Sequence, residues 1–115
     1  MTENYSEIEL LGIAEDIFNQ MGGLKNICRM TAAWNFKSLN EGNNVAVSWQ
    51  FKGSKSVNFV KILYTPMDTY TMQIGQIRKV KGVPTLVIRK EQEDLYCEDI
   101  KKYFEEKTGL YLTLF

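Results

Sequence analysis

The chain has 115 residues, which suits one domain and leaves no room for two of ordinary size. Hydrophobic residues make up 44% and charged residues 24%, and the formal net charge is zero, so the composition is that of an ordinary globular protein. Histidine is absent, which excludes mechanisms based on a Ser-His or Cys-His pair.

The two cysteines, Cys28 and Cys97, stand far apart and form no CxxC pair. A zinc site needs about four ligands at suitable spacing, so no metal site is expected. We interpret both residues as buried or half-buried free thiols, with a disulfide as the alternative. The start of the chain is acidic where a signal peptide is basic. No apolar run approaches the ~18 residues of a membrane span, so we expect a cytoplasmic protein without a membrane partner.

A helix is predicted over residues 6–21. Ser6 and Glu9 have the spacing of a capping box, in which each side chain bonds the other residue's backbone N–H. The apolar residues that follow recur at helical spacing on one stripe: Leu10, Ala14, Ile17, Phe18 and Met21. The pair Gly22-Gly23 predicts the end of the helix, because glycine adopts the left-handed cap conformation without steric cost.

The middle of the chain reads as antiparallel strands. One strand or a strand pair is predicted over residues 27–38, followed by a polar loop at 40–44. Residues 45–51 alternate between apolar and polar positions, which indicates a strand with one buried face. Residues 57–65 are rich in β-branched and aromatic residues and predict the next strand.

A hairpin is predicted after the turn at 66–68. Tyr70, Met72 and Ile74 alternate with polar residues, and the pattern changes parity at Gly75, which suggests a β-bulge. Lys81-Gly82 predicts a hairpin turn. The following strand is predicted over residues 83–90, and Pro84 near its start suggests an edge position.

The end of the chain returns to helix, with Asp94 as a candidate cap and Gly109 as the stop. The apolar tail 110–115 is expected to pack on the core or to pair as a short last strand. The predicted fold is a single α+β domain over residues 1–115. It has an N-terminal helix, a four- to five-stranded antiparallel sheet and a C-terminal helix, with both helices on one face.

The zero net charge hides an uneven distribution. Residues 1–16 hold five acids and no base, residues 17–90 hold eleven bases and two acids, and residues 91–115 hold seven acids and three bases. A basic sheet face able to attract phosphates or an acidic protein is therefore predicted. Its candidate binding residues are Lys52, Lys61, Arg78, Lys79, Lys81, Arg89 and Lys90. The alternative is that these residues serve only solubility and protect strand edges.

Sequence motifs for catalysis or cofactor binding are missing: there is no Walker loop and no G-x-G-x-x-G. The acids between residues 91 and 99 are interpreted as the solvated first turn of the last helix, with Cys97 as a structural thiol in that turn. Trp34 and Trp49 are both interpreted as core residues, with a platform for a ligand as the alternative. We therefore expect a protein that is not an enzyme and has no cofactor.

Three segments resemble a family of small uncharacterised phage and mobile-element proteins, whose domain also occurs in large multidomain phage proteins. They are QMGG at 20–23 leading into MTA at 30–32, MDTYTMQIG at 67–75 with IRK at 77–79, and LYCEDI at 95–100 continuing to TGL at 108–110. Ala32 and Cys97 depart from the family pattern, where glycine and a small residue are common. The resemblance covers nearly the whole chain and implies a setting in the host cytoplasm, without catalytic residues.

Four functions remain open on the sequence. The first is a non-catalytic binding module that contacts nucleic acid or an acidic host protein through the basic sheet face. The second is an anti-defence inhibitor of the anti-CRISPR kind, whose terminal acids imitate DNA phosphates and bind a host nuclease. A third is an enzyme or ligand binder with a deep pocket beside Tyr96 and Cys97. The fourth is a homo-oligomer that uses Pro84 and the apolar tail.

Overall fold

A computed structural model describes residues 5–53 and 56–112, and these residues form three helices and five strands. In chain order the elements are α1 (Glu7–Gln20), α2 (Leu24–Thr31), β1 (Trp34–Glu41), β2 (Asn44–Gln50), β3 (Phe59–Tyr64), β4 (Tyr70–Val80), β5 (Val83–Leu95) and α3 (Ile100–Thr108). The strands form one antiparallel sheet in the order β1-β2-β3-β4-β5, so each strand pairs with its neighbours in sequence. The α+β class is confirmed.

The first helix begins where its sequence cap predicts. The Ser6 hydroxyl accepts the Glu9 backbone N–H, and the Glu9 carboxylate accepts the Ser6 N–H, so both halves of the capping box are formed. The helix ends at Met21, and the chain reverses through Gly22 and Gly23, whose φ angles are 99° and 97°. Side chains rarely adopt such angles, which is why two glycines stand there.

A second helix, α2, lies where strand was predicted, so the prediction for residues 27–38 is wrong in its first half. The buried residues Ile27 and Thr31 are four positions apart and fall on one helical face. The helix ends at Ala32, which has a left-handed conformation with φ of 53°. Strand β1 then runs to Glu41, and the predicted loop at 40–44 contracts to a tight turn before Asn44.

The last strand, β5, is longer than predicted, and the last helix, α3, therefore begins later in the chain than predicted. β5 continues to Leu95, so Asp94 lies in the strand with φ of 57° and caps no helix. The N-cap of α3 is Asp99, and Gly109 ends the helix as predicted, with φ of 74°. In the tail Leu112 is fully buried, while residues 113–115 lie outside the described part of the chain.

The core lies between the helices and one face of the sheet. Val45, Val47 and Trp49 are completely buried, and so are four inward residues of β3 and β4: Val60, Ile62, Met72 and Ile74. Phe18 of α1 packs edge-on against Trp49 at 5.6 Å between ring centroids. Phe104 of α3 packs against Phe51 at 5.3 Å. Both terminal helices therefore share one face, as predicted, and the opposite face of the sheet is here named the open face.

None of the helices in the described ranges is long and apolar enough to span a membrane.

Candidate functional site

A two-stranded hairpin extends beyond the rest of the sheet. β3 pairs with β4 as far as Gly75, whereas the pairing of β4 with β5 continues to Val80 and Val83. Residues 76–87 therefore project as a ribbon, here named the arm. Its turn is Lys81-Gly82, with φ of 52° and 81°. Positive φ at both central residues is the turn geometry that matches the twist of a hairpin, so the predicted turn is confirmed.

The Asn58 side chain holds the base of the arm by forming the hydrogen bonds that a paired strand residue would form. The Asn58 backbone N–H donates to the Gly75 carbonyl at 2.9 Å. Its side-chain amide then donates to the Ile77 carbonyl at 3.0 Å and accepts the Ile77 N–H at 2.7 Å. Asn58 thus extends the β3–β4 ladder by one residue pair, which fixes the direction in which the arm leaves the sheet.

A bulge lies at the same level in β5. Ile74 pairs with Lys90 and Gly75 pairs with Ile88, so Arg89 is the extra residue. The sequence located the bulge correctly, although the inserted residue is in β5 and not at Gly75. A Cβ on Gly75 would lie 2.5 Å from the Val87 carbonyl oxygen, closer than any side chain tolerates. Glycine is therefore required there by the close approach of β5.

The arm and its base gather five of the seven predicted binding residues. Arg78 and Lys79 lie in the arm, Lys81 is in its turn, and all three are exposed. Arg89 and Lys90 are exposed at the bulge, where Arg89 donates to the Gln76 side chain at 2.9 Å. Between residues 76 and 90 the sequence has these five basic residues and no acid. Positive charge is therefore concentrated in the arm and at its base.

The five cations do not share one flat face. Arg78 pairs across the hairpin with Thr85, and Lys79 pairs with Pro84. Paired residues project to the same side and successive residues to opposite sides, so Arg78 and Lys79 lie on opposite sides of the ribbon. The arm consequently offers positive charge on both sides and at its tip.

The other two predicted residues lie away from the arm. Lys61, on the open face of β3, forms an ion pair with Glu41, so its charge is locally balanced. Lys52 is exposed two residues beyond the end of β2, and its backbone N–H donates to the Thr31 carbonyl at 2.8 Å. The predicted basic sheet face is therefore centred on the arm and does not extend over the whole sheet.

Apolar side chains are exposed along the arm, which the sequence did not indicate. They are Val80, Val83, Leu86 and Ile88, each more than a third exposed. Alternation alone placed such residues on a buried face, because it cannot tell where a hairpin leaves its sheet. β3, which flanks β4 in the sheet, begins only at Phe59 and does not run alongside the arm.

Trp34 is also exposed, so its interpretation as a core residue is wrong. It is 55% exposed at the start of β1 and pairs with Gln50, whose side chain lies on the open face. The register of β1 shifts between Trp34 and Lys37, and Asn35 has a φ of 60°. This bulge reverses the alternation, so Phe36 packs on the core rings of Phe18 and Trp49 while Trp34 projects to the other side.

Acidic residues collect at the opposite end of the sheet, named here the loop end because the turns at 42–43 and 66–68 lie there. A shallow groove of about 460 Å³ is lined by Glu91, Glu93 and Asp94 together with residues of β2, β3 and β4. These acids were predicted in the first turn of a helix and instead belong to β5. At the same end the Tyr64 hydroxyl donates to Asp68 at 2.7 Å, which raises the pKa of Tyr64 to about 12.

The cysteines are free, in agreement with the sequence. Cys28 is half-buried as predicted, whereas Cys97 is exposed, so the prediction of a buried or half-buried thiol is wrong there. Cys97 lies in the turn before α3 and not in its first helical turn. The Cys97 thiol donates to the Glu98 carboxylate at 3.3 Å, and this hydrogen bond raises the pKa of Cys97 above its usual value. Among the described residues, no group of three or more cysteines and acids is placed to hold a metal ion.

Comparison of the chain with protein-family models, with curated proteins and with solved structures finds no match.

Proposed function

We propose that this chain is a non-catalytic binding module that contacts an anionic macromolecule through the arm. The preferred candidate for this partner is nucleic acid, and the second candidate is an acidic host protein. The observation that carries the proposal is the ribbon of residues 76–87 projecting past β3, with Arg78, Lys79 and Lys81 exposed upon it. A projecting two-stranded ribbon is one of the elements with which proteins contact nucleic acid. The resemblance to phage and mobile-element proteins supplies the setting, a host cell.

Electrostatics favour nucleic acid as the first partner to test. Five basic residues between Gln76 and Lys90 stand without an intervening acid, although the whole chain is neutral. Such a local excess attracts phosphates even when the net charge is zero, because screening limits interactions to about 10 Å at ordinary salt. The acids of the loop end are distant from the arm, so they reduce its attraction for phosphates only slightly.

The test compares two variants of equal net charge. R78Q/K79Q/K81Q removes the three arm cations, and K25Q/R29Q/K102Q removes three exposed cations from α2 and α3. Binding to labelled single- and double-stranded oligonucleotides is measured by fluorescence anisotropy at ~50 mM salt. We expect the arm variant to lose about tenfold or more in affinity, since three phosphate contacts are removed. The helix variant should retain the affinity of the wild type, and equal losses in both variants would rule out the arm as the contact surface.

A second candidate function is favoured by the surface of α1. Its acids Glu7, Glu9, Glu15 and Asp16 are all exposed. The last three line a groove of about 430 Å³ together with Tyr5 and Tyr64. An anti-defence inhibitor of the anti-CRISPR kind is the proposal that uses this surface, with carboxylates standing in for phosphates on a basic groove of a host nuclease.

Plaque formation in a host with an active nuclease defence tests this second candidate. Expression of the protein should restore plaques of a targeted phage, and E15Q/D16N should reduce the rescue while the arm variant preserves it. An absence of rescue across several nuclease defences counts against inhibition.

A further inference from the structure

An exposed tryptophan and a half-buried phenylalanine lie in one row across the open face. Trp34 of β1 pairs with Gln50 of β2, Gln50 pairs with Phe59 of β3, and Phe59 pairs with Gly75 of β4. Neighbouring strands are about 4.8 Å apart, so the backbones at Trp34 and Phe59 are separated by about 10 Å, with Gln50 on the strand between them. Trp34 is 55% exposed, so its ring is accessible to a ligand on the open face.

Beyond Phe59 the row reaches Gly75, which has no side chain to project from the open face. The nearest side-chain atom to the position of a Gly75 Cβ is Leu86 Cδ1, at 3.2 Å, so a side chain of the arm leans over this point. Ile77 and Leu86, paired across the hairpin, follow on the same side of the ribbon as Gly75. The aromatic row therefore borders directly on the apolar side chains of the arm.

Positive charge lies on both sides of the row. Lys37, the next open-face residue of β1, is exposed beside Trp34, and Lys52 is exposed two residues beyond Gln50. Lys79 is on the arm, on the same side of the ribbon as Gly75. The acids of this face, Glu41 and Glu91, lie toward the loop end. The arm end of the open face thus combines two aromatic rings, one amide and flanking cations.

We propose that the partner of this surface is single-stranded nucleic acid whose bases stack on Trp34 and Phe59. This inference rests on the proposed function and specifies the form of nucleic acid that the arm attracts. Stacking on an aromatic side chain requires a base whose face is free, which a duplex does not offer. In this arrangement Lys37, Lys52 and the arm cations hold the phosphates. The Gln50 amide, which can donate and accept, faces the edge of a base.

Tryptophan fluorescence reports binding at Trp34 directly, because the fluorescence of the other tryptophan, Trp49, does not respond to a ligand on the surface. Trp49 is completely buried in the core, so quenching on addition of ligand reports Trp34. The probe is an oligothymidine strand, compared with a self-complementary duplex of equal length. We expect saturable quenching with the single strand, tighter binding of the single strand than of the duplex, and loss of the quenching in W34F.

Affinity measurements separate stacking from attraction by charge. W34A and F59L should each weaken binding of oligothymidine by about 5- to 150-fold, the effect of removing one base–aromatic stack. F59L keeps an apolar side chain at this half-buried position, so we expect the fold to be preserved. The matched control is L39A, because Leu39 is 57% exposed on the same face but toward the loop end, and its affinity should equal that of the wild type.

The outcomes distinguish this inference from the function on which it rests. Unchanged affinity in W34A and F59L together with a loss in R78Q/K79Q/K81Q would overturn stacking and leave the arm as the contact surface. Duplex binding as tight as single-strand binding would overturn it equally. An absence of binding to any oligonucleotide at ~50 mM salt would overturn this inference and leave an acidic host protein as the partner to test for the arm.

Discussion

Asn35 holds a left-handed conformation inside β1, with φ of 60°, and this single residue determines on which side Trp34 lies. Asparagine tolerates this region better than most residues. Alternation in the sequence predicts that Trp34 and Phe36 share a face, because they are two residues apart. The pattern contains no signal for a backbone insertion between them, so the exposed tryptophan of the candidate site was not predictable.

Replacement of Asn35 tests this dependence. Asn35→Val should lower the free energy of unfolding by about 1–2 kcal/mol, since a β-branched residue is strained at positive φ. Asn35→Gly should leave stability close to that of the wild type, because glycine adopts this conformation freely. Denaturant unfolding measures both values. Equal stability of the valine and asparagine proteins would show that no strained bulge exists at this position.

Cys97 offers a second test at the scale of one residue. Its thiol donates to the Glu98 carboxylate, which raises the pKa of Cys97 and keeps the sulfur protonated at neutral pH. The thiolate is the nucleophile, so alkylation should be slow at pH 7 and accelerate only well above it. In a C28S background, E98Q should shift the pH profile of alkylation to lower pH. A profile that is identical with and without the Glu98 charge would contradict the assignment.

Among the elements, the arm depends on Asn58 for its anchorage. Asn58→Ala leaves the N–H and the carbonyl of Ile77 without their side-chain partner. We expect a loss of about 1 kcal/mol or more in stability and faster hydrogen exchange at the backbone amides of the arm. Asn43→Ala, in the exposed β1–β2 turn, is the control. Unchanged exchange at Ile77 in N58A would mean that the arm is held by the hairpin alone.

The sequence predicted elements where local signals are strong. The capping box and the glycine stop located α1, and the Lys81-Gly82 turn located the hairpin, because each depends on two or three adjacent residues. It failed where a short apolar pattern fits two structures. Residues 24–31 contain few inward positions, and only packing against the core decides that Ile27 and Thr31 form a helical face. The end of β5 was missed because charged residues on an edge strand resemble a solvated helix turn.

Over the whole molecule, charge is arranged along the sheet as well as across it, since the exposed acids of α1 lie on the helical side. The sequence predicted acidic helices on one side and a basic sheet on the other. Placement of Glu91, Glu93 and Asp94 in β5 instead puts acids at the loop end of the sheet, while the arm end is basic. Composition located the basic segment and five of its residues correctly at the arm, but the sheet register was needed to separate Lys61 from them.

The salt dependence of nucleic-acid binding tests the central claim, that the arm makes phosphate contacts. The logarithm of the association constant is measured against the logarithm of salt concentration, from about 50 to 200 mM, for the wild type and for R78Q/K79Q/K81Q. Each phosphate contact contributes about 0.7 to the slope for single strands, so the slope should fall by about 2 in the arm variant. Equal slopes in the two proteins, or no binding by the wild type at the lowest salt, would contradict the claim.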